Sequence, residues 1–222
     1  MSTIIVLHGW KHSLASWEEF RMQFPVDTVI TFDLPGFGDE PLHLGWGVPE
    51  YAGWVKEKIA PYTSKGPVIL LGHSFGGRIA AYIAIQQPPW LERLILYGAP
   101  LIYQPTIWVR FRAGIAKKIK AFIPFKKYIL NVLFPESHKP EYYKIFKKIA
   151  TFDLKNELQH ITVPTLFVWG DNDTEAPLRL GRIAAKLIPQ SLMVILPKSG
   201  HNIHIDSPYL FYGVVKKFIE GN

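Results

Sequence analysis

The sequence predicts an α/β fold in which a parallel β-sheet is covered by helices on both faces. Short β-rich runs alternate with helical patterns along most of the chain, which is typical of parallel βαβ units. Several of these runs are apolar throughout, as expected of strands that are buried on both faces. The 222 residues are 48% hydrophobic and 19% charged, which suits one large domain with a substantial core.

The strands and the helices that flank them can be placed from the periodicity of the apolar residues. Strands are predicted at residues 3–7, 28–32, 67–71, 93–97, 164–169 and 191–196. Helices are predicted near residues 49–60, 75–86 and 177–188, so that helices and strands make a three-layer sandwich.

Two further helices are predicted from signals at their first residues. Ser16 and Glu19 have the spacing of a capping box, in which each side chain satisfies a free backbone N–H of the other. Ser207 and Pro208 have the order of a cap and a first-turn proline, and apolar residues follow them at helical spacing. The chain is therefore expected to end in an amphipathic helix.

Residues 101–161 interrupt the alternation of strands and helices. Apolar residues recur on one helical face between Ile107 and Phe122, and Tyr142, Phe146 and Ile149 mark a second helix. No strand pattern separates these two helical patterns. We therefore predict a helical insertion at 101–161 between the fourth and fifth strands, with 1–100 and 162–222 forming the core.

The positive charge of the protein is concentrated in this insertion. Residues 101–161 contain 12 Lys and Arg against four Asp and Glu, whereas the net charge of the whole chain is only +7. The rest of the chain therefore has a net charge close to zero. Such a local excess of positive charge indicates either a solvated basic surface or a surface that binds an anionic partner.

The composition argues against several classes of protein. The absence of cysteine excludes disulfides, thiolate catalysis and cysteine-based metal sites. The apolar runs are too short to cross a bilayer, and residues 1–8 resemble no signal peptide, so a cytoplasmic location is expected. Nucleic-acid binding is not favoured, because no known reader motif is present.

A candidate nucleophile lies in the stretch Gly-His-Ser-Phe-Gly at residues 72–76, which matches the pattern G-x-S-x-G. The stretch follows an apolar strand and precedes a helical run, which is the arrangement of a nucleophile elbow. A tight turn there would present the hydroxyl of Ser74 at the edge of the sheet. Small residues at Gly72 and Gly76 would let the neighbouring backbone approach. The alternative is a glycine-rich turn with an incidental serine.

A serine hydroxyl needs a base, and His201 is the best candidate among the eight histidines. It follows the last strand, and functional groups of open α/β sheets lie at the carboxyl ends of the strands. His204 is the nearest rival, but no glycine turn precedes it. The base needs a carboxylate to orient it, and Asp171 and Asp173 both follow the fifth strand. Residue chemistry alone leaves these two aspartates nearly equivalent.

Ester or amide chemistry also needs an oxyanion hole, which is a pair of donors for the negative charge of the transition state. The backbone N–H of Phe75, directly after the candidate nucleophile, is expected to be one donor. The backbone N–H of Trp10, in the loop after the first strand, is expected to be the other.

These motifs, in this order, resemble the α/β-hydrolase superfamily, in particular its capped serine esterase and C–C hydrolase branch. The resemblance spans nearly the whole chain, and it rests on the following segments: residues 8–10, 33–38, 72–77, 170–173 with Pro177, and 199–201 with Asp206 and Pro208. Serine at position 74 separates the chain from the dehalogenase and epoxide hydrolase branches, which have aspartate there.

The resemblance implies the third catalytic residue and the order of the strands. The spacing G-x-x-D-x-x-x-P of the family selects Asp173 over Asp171, so the implied triad is Ser74, Asp173 and His201. The family commonly has two more strands before the His-Gly strand. We therefore expect a reduced sheet of six parallel strands in the order 2-1-3-4-5-6, with the insertion as a helical cap over the site.

The leading hypothesis is a serine hydrolase that cleaves carboxylic esters through an acyl-enzyme and needs no cofactor or metal. C–C bond hydrolysis and acyl transfer can use the same triad and remain alternatives. A ligand-binding or receptor protein with this fold and little turnover is the alternative from another class.

Three interpretations of the basic insertion remain open. Its charges form a solvated face, or they attract an anionic partner such as a substrate carboxylate, a coenzyme A thioester or an acidic acyl-carrier protein, so that the ester substrate is anionic or carrier-linked. In the third interpretation, residues 107–134 rest on an anionic lipid surface, as a lipase lid does.

Overall fold

The computed structural model describes residues 2–25, 28–104 and 140–221. Six strands form one sheet, in which every neighbouring pair is parallel and the order is β2-β1-β3-β4-β5-β6. The strands are β1 (Thr3–Leu7), β2 (Val29–Thr31), β3 (Val68–His73), β4 (Leu91–Tyr97), β5 (Thr165–Gly170) and β6 (Ser191–Leu196). The predicted fold class and strand order are confirmed.

Helices connect and cover these strands. They are α1 (Glu18–Arg21), α2 (Val48–Thr63), α3 (Phe75–Ile85), α4 (Pro140–Ala150), α5 (Leu178–Leu187), α6 (Ile203–Asp206) and α7 (Pro208–Glu220). Short 3₁₀ turns lie at Leu14–Trp17 and Leu158–His160. None of the helices within the described ranges is long and apolar enough to cross a membrane.

The core consists of two apolar layers, one on each face of the sheet. Because successive side chains of a strand point to opposite faces, Ile5 and Leu7 of β1 belong to one layer and Ile4 and Val6 to the other. Helices α2, α3 and α5 cover the first layer, and α1 and α7 cover the second. Both faces of the sheet are thus shielded from water, which explains the continuous apolar runs of the strands.

The predicted capping box at Ser16 is wrong. Ser16 lies inside the 3₁₀ turn Leu14–Trp17, and its hydroxyl donates to the carbonyl oxygen of Ser13 at 2.8 Å. The α-helix begins only at Glu18, and no side chain caps it. The N-cap position of this helix is occupied by Trp17, so Ser16 stands one residue too early to cap it. The last helix, by contrast, begins at Pro208 directly after Ser207, as predicted.

The predicted helical insertion is described only in part. Residues 101–104 and 140–161 contain α4 and the turn Leu158–His160, and they contain no strand. On α4, Ile145 and Ile149 are buried while Lys144 and Lys147 are exposed, as its amphipathic pattern predicts. The pattern at 107–134 lies outside the described residues. The division into a core and a cap at 101–161 therefore stays a prediction.

Candidate active site

The turn between β3 and α3 has the geometry expected of a nucleophile elbow. Ser74 stands alone between the two elements with φ 50° and ψ −109°, a backbone conformation that non-glycine residues rarely adopt. The packing around the turn needs glycine, since a Cβ on Gly76 would lie 2.2 Å from the carbonyl oxygen of Leu7. A Cβ on Gly72 would lie 2.4 Å from the Cα of Gly77. The close contacts hold Ser74 in this strained turn at the carboxyl end of β3.

The loops after β5 and β6 bring Asp173 and His201 together. Nδ1 of His201 lies 2.7 Å from Oδ2 of Asp173, and the two side chains are 7% and 1% exposed. The other carboxylate oxygen, Oδ1 of Asp173, accepts the backbone N–H of Glu175 at 2.9 Å and of Ala176 at 2.8 Å. The carboxylate is thus oriented by its own loop. It is also buried against the imidazole, where a charge-assisted hydrogen bond is strong.

The structure distinguishes the two aspartates that residue chemistry left open. Oδ1 of Asp171 accepts the backbone N–H of Ser199 at 3.3 Å, so Asp171 links the loop after β5 to the loop after β6. Asp173, two residues further on, is the one that contacts His201. The spacing implied by the family resemblance therefore points to the residue that lies on the imidazole.

Ser74 and His201 line the same cavity, which has a volume of about 410 Å³. It opens at the carboxyl ends of the strands, where open α/β sheets bind their ligands. Gly98, after β4, leaves room for the imidazole, because a Cβ there would lie 3.1 Å from Nδ1 and Cε1 of His201. The walls also include the side chains of Trp10, Phe75, Arg78 and Phe146.

The two predicted oxyanion donors flank this cavity. Phe75 is the first residue of α3, and Trp10 lies in the loop after β1. The next amide, the N–H of Gly76, donates to the carbonyl oxygen of His8 at 3.1 Å and so ties the two segments together. In the described part of the chain, no backbone carbonyl accepts the N–H of Trp10 or Phe75. The oxyanion hole formed by these two amides stays a prediction.

His8 braces the Trp10 loop, a role that sequence reasoning did not assign. Its Nε2 accepts the backbone N–H of Leu34 at 2.9 Å, so the ring proton sits on Nδ1 and is donated to the carbonyl oxygen of Gly9 at 2.8 Å. Burial lowers the pKa of His8 to about 4, which keeps the ring neutral at pH 7. The His-Gly pair at the end of β1 was the available signal in the sequence.

Two buried side chains bind the backbone of the predicted base. The hydroxyl of Tyr97 donates to the carbonyl oxygen of His201 at 2.6 Å, and Nε2 of His73 lies 3.1 Å from the same oxygen. Because that oxygen can only accept, the ring proton of His73 is on Nε2. Burial, followed by the neighbouring imidazoles, lowers the pKa of His73 well below its usual value. Nothing in the local sequence of these residues predicts this contact.

The rival base His204 is packed in the core beside Trp17. Its ring stacks on Trp17 with centroids 4.3 Å apart and is only 2% exposed as a residue. Burial lowers its pKa to about 3, so it stays neutral inside the core at pH 7. Within the described residues no group of three or more His, Asp or Glu side chains is placed to hold a metal ion.

Comparison with known proteins places the chain among α/β hydrolases. Residues 4–213 match the model of the alpha/beta hydrolase family. The chain is 26% identical over 245 residues to a pimeloyl-[acyl-carrier protein] methyl ester esterase of Aeromonas salmonicida, covering 97% of this chain and 94% of that protein. It is 24% identical to the enzyme of the same name from Neisseria meningitidis serogroup B, covering 98% and 93%.

Solved structures show the same fold at low sequence identity. MenH from S. aureus superposes with a TM-score of 0.76 at 22% identity, covering 99% of this chain and 94% of that one. A thermophilic esterase from Thermogutta terrifontis gives a TM-score of 0.75 at 22% identity, covering 100% and 90%. The family match extends over nearly the whole chain, and the sheet has the expected strand order. The protein therefore belongs to the alpha/beta hydrolase family.

Proposed function

We propose that this protein is a serine hydrolase that cleaves carboxylic esters through an acyl-enzyme intermediate. The observation that carries the proposal is the 2.7 Å contact between His201 and Asp173 on the rim of the cavity that Ser74 lines. The names of the relatives support ester hydrolysis as the reaction. The same arrangement of hydroxyl, imidazole and carboxylate serves acyl transfer on several unrelated folds.

The first half-reaction acylates Ser74. The buried carboxylate of Asp173 holds the proton of His201 on Nδ1, which leaves Nε2 free to accept the proton of the serine hydroxyl. The serine oxygen attacks the ester carbonyl, and the N–H groups of Trp10 and Phe75 stabilise the negative oxygen that forms. The intermediate collapses, the C–O bond to the alcohol breaks, and Nε2 returns the proton to the leaving alcohol.

The second half-reaction releases the acid. Nε2 of His201, again unprotonated, takes a proton from a water molecule that attacks the acyl group on Ser74. The same two amides stabilise the second negative oxygen. The bond to Ser74 then breaks, and its oxygen recovers the proton from His201. Every proton transfer uses side chains of this chain, so the proposed reaction needs neither metal nor cofactor.

The walls of the cavity suggest the class of acyl group. Trp10, Phe75 and Phe146 contribute aromatic rings, and Ile149 and Ala150 contribute aliphatic surface. Apolar walls around a few polar groups are usual for small-molecule sites. We therefore propose esters of modest apolar or aromatic acids. The relatives are named for carrier-linked esters, and the 12 basic residues of the insertion suit an anionic or carrier-linked substrate inside the cytoplasm.

Covalent labelling tests the proposal directly. A fluorophosphonate probe is expected to label the wild-type protein, because an activated serine attacks its phosphorus. Ser74→Ala should remove the labelling, whereas Ser64→Ala, which changes an exposed serine after α2, should leave it intact. Labelling that survives in Ser74→Ala would exclude Ser74 as the nucleophile. No labelling of folded wild-type protein would favour the ligand-binding alternative.

Tyr97 is expected to act as a positioning residue for His201. Tyr97→Phe removes the hydroxyl that donates to the carbonyl oxygen of His201, a buried hydrogen bond worth on the order of 1 kcal/mol. We expect kcat for a p-nitrophenyl ester to fall about tenfold while KM stays the same, because the base is displaced and the cavity is not. Tyr209→Phe is the control, since Tyr209 is 72% exposed. A fall in kcat/KM that comes only from a higher KM, with kcat unchanged, would contradict the positioning role.

A further inference from the structure

Arg78 is a buried cation in the wall of the cavity. It lies on α3, one helical turn after Ser74, and only 3% of its surface is exposed. Arginine is rarely buried so completely, because a buried charge is costly unless hydrogen bonds compensate it. Burial lowers its pKa to about 10, which leaves the guanidinium positive at neutral pH.

The partners of Arg78 are backbone carbonyl groups. Its Nη1 donates to the carbonyl oxygens of Ile149 at 2.7 Å and Ala150 at 3.3 Å, and also to that of Phe152. Its Nη2 donates to the carbonyl oxygen of Pro100, just after β4. Three of the four acceptors belong to the last turn of α4 and the residues that follow it. A cation is favourable at this end of a helix, where the carbonyl groups are unpaired and the dipole is negative.

The helix that Arg78 holds forms one wall of the cavity. The rings of Tyr142 and Phe146 on α4 lie against Trp10, with centroids 4.9 Å and 5.2 Å apart. Near the same end of α4, Lys148 donates to the carbonyl oxygen of Gly45 at 2.7 Å, but its side chain is 50% exposed. An exposed contact of this kind contributes little. Arg78 thus links α3, the helix that follows Ser74, to the aromatic wall through buried hydrogen bonds.

We infer that Arg78 is a specificity-determining residue that sets the depth of the acyl pocket by fixing the position of α4. This inference rests on the proposed ester hydrolysis. The hydrogen bonds of Nη1 and Nη2 go to the carbonyl groups at and just after the end of α4 and to that of Pro100 after β4, so in this inference the guanidinium organises the wall. Without it, the carbonyl groups lose their donor, α4 recedes from Trp10, and longer acyl chains gain room.

The test compares short and long esters in matched variants. Arg78→Met keeps the length of the side chain without its donors, Arg78→Lys restores one cationic donor group, and Phe146→Ala shortens the wall itself. We expect the kcat/KM ratio of p-nitrophenyl octanoate to acetate to rise about tenfold or more in Arg78→Met and in Phe146→Ala, and less in Arg78→Lys. Lys148→Met, the exposed control on α4, should leave the ratio unchanged.

The outcomes separate this inference from its rivals. An unchanged ratio in folded Arg78→Met and Arg78→Lys, or a ratio that falls, would overturn it while leaving ester hydrolysis intact. A matched pair of six-carbon esters, the anionic p-nitrophenyl adipate and the neutral hexanoate, tests direct binding of a carboxylate. Selective loss of adipate turnover in Arg78→Met would make Arg78 an anion receptor and overturn the inference. Wild-type protein that hydrolyses none of these esters would overturn both the proposed function and this inference.

Discussion

Asp173→Asn is expected to lower kcat for ester hydrolysis by about 10³- to 10⁴-fold. Oδ1 of Asp173 is held by two backbone N–H groups, of Glu175 and Ala176, so an asparagine would keep its carbonyl oxygen there. Its NH₂ group would then face Nδ1 of His201, where Oδ2 lies now. The imidazole would have to accept at Nδ1 and carry its proton on Nε2, which is the wrong tautomer for a base.

Asp171→Asn is the matched control for this experiment. Asp171 lies two residues away, and its Oδ1 accepts the N–H of Ser199, a contact that an asparagine oxygen can keep. Its kcat should remain within a factor of about three of wild type, since it does not contact the imidazole. Steady-state kinetics on both variants, with thermal unfolding as a check of the fold, measures whether only Asp173 is needed for a high kcat. Equal losses in the two variants would remove the proposed distinction between them.

The folded protein is expected to lose stability steeply as the pH falls from about 6.5 towards 4. Burial lowers the pKa of His8 to about 4 and that of His204 to about 3, and it lowers that of His73 well below its usual value. In this window the unfolded chain binds protons on these histidines and the folded protein does not, so protons favour unfolding. Each histidine contributes a slope of up to about 1.4 kcal/mol per pH unit.

Denaturant unfolding at a series of pH values measures this loss. His204→Phe should flatten the slope by about one proton, since a phenyl ring can still stack on Trp17 but cannot be protonated. Ser64→Ala, an exposed substitution that removes no titratable group, should leave the slope unchanged. A free energy of unfolding that stays constant between pH 6.5 and 4.5 would show that the three rings are not held neutral as the structure implies.

Local patterns in the chain were enough to predict the sheet and the elbow. Apolar runs of strand length, helical periodicity and the glycines around Ser74 are all properties of neighbouring residues. The order of the strands came from the family resemblance, and the sheet confirms it. Even local signals can fail, as at Ser16. Its hydroxyl was expected to cap the N–H groups of a helix, but it donates to the carbonyl oxygen of Ser13.

Contacts between distant segments could be decided only by the tertiary structure. Asp171 and Asp173 are chemically alike and nearly adjacent, so residue chemistry could not separate them. The family spacing favoured Asp173, and the approach of the loop after β6 shows that Asp173 contacts His201. The residues that hold the site in place are still further apart along the chain: His73 and His201 differ by 128 in residue number, and Arg78 and Ile149 differ by 71. No periodicity or turn signal encodes such pairs, because they form when helices and loops pack over the sheet. The sequence by itself determined the scaffold and the candidate reactive residues, and the packing of distant segments decided what holds those residues in place.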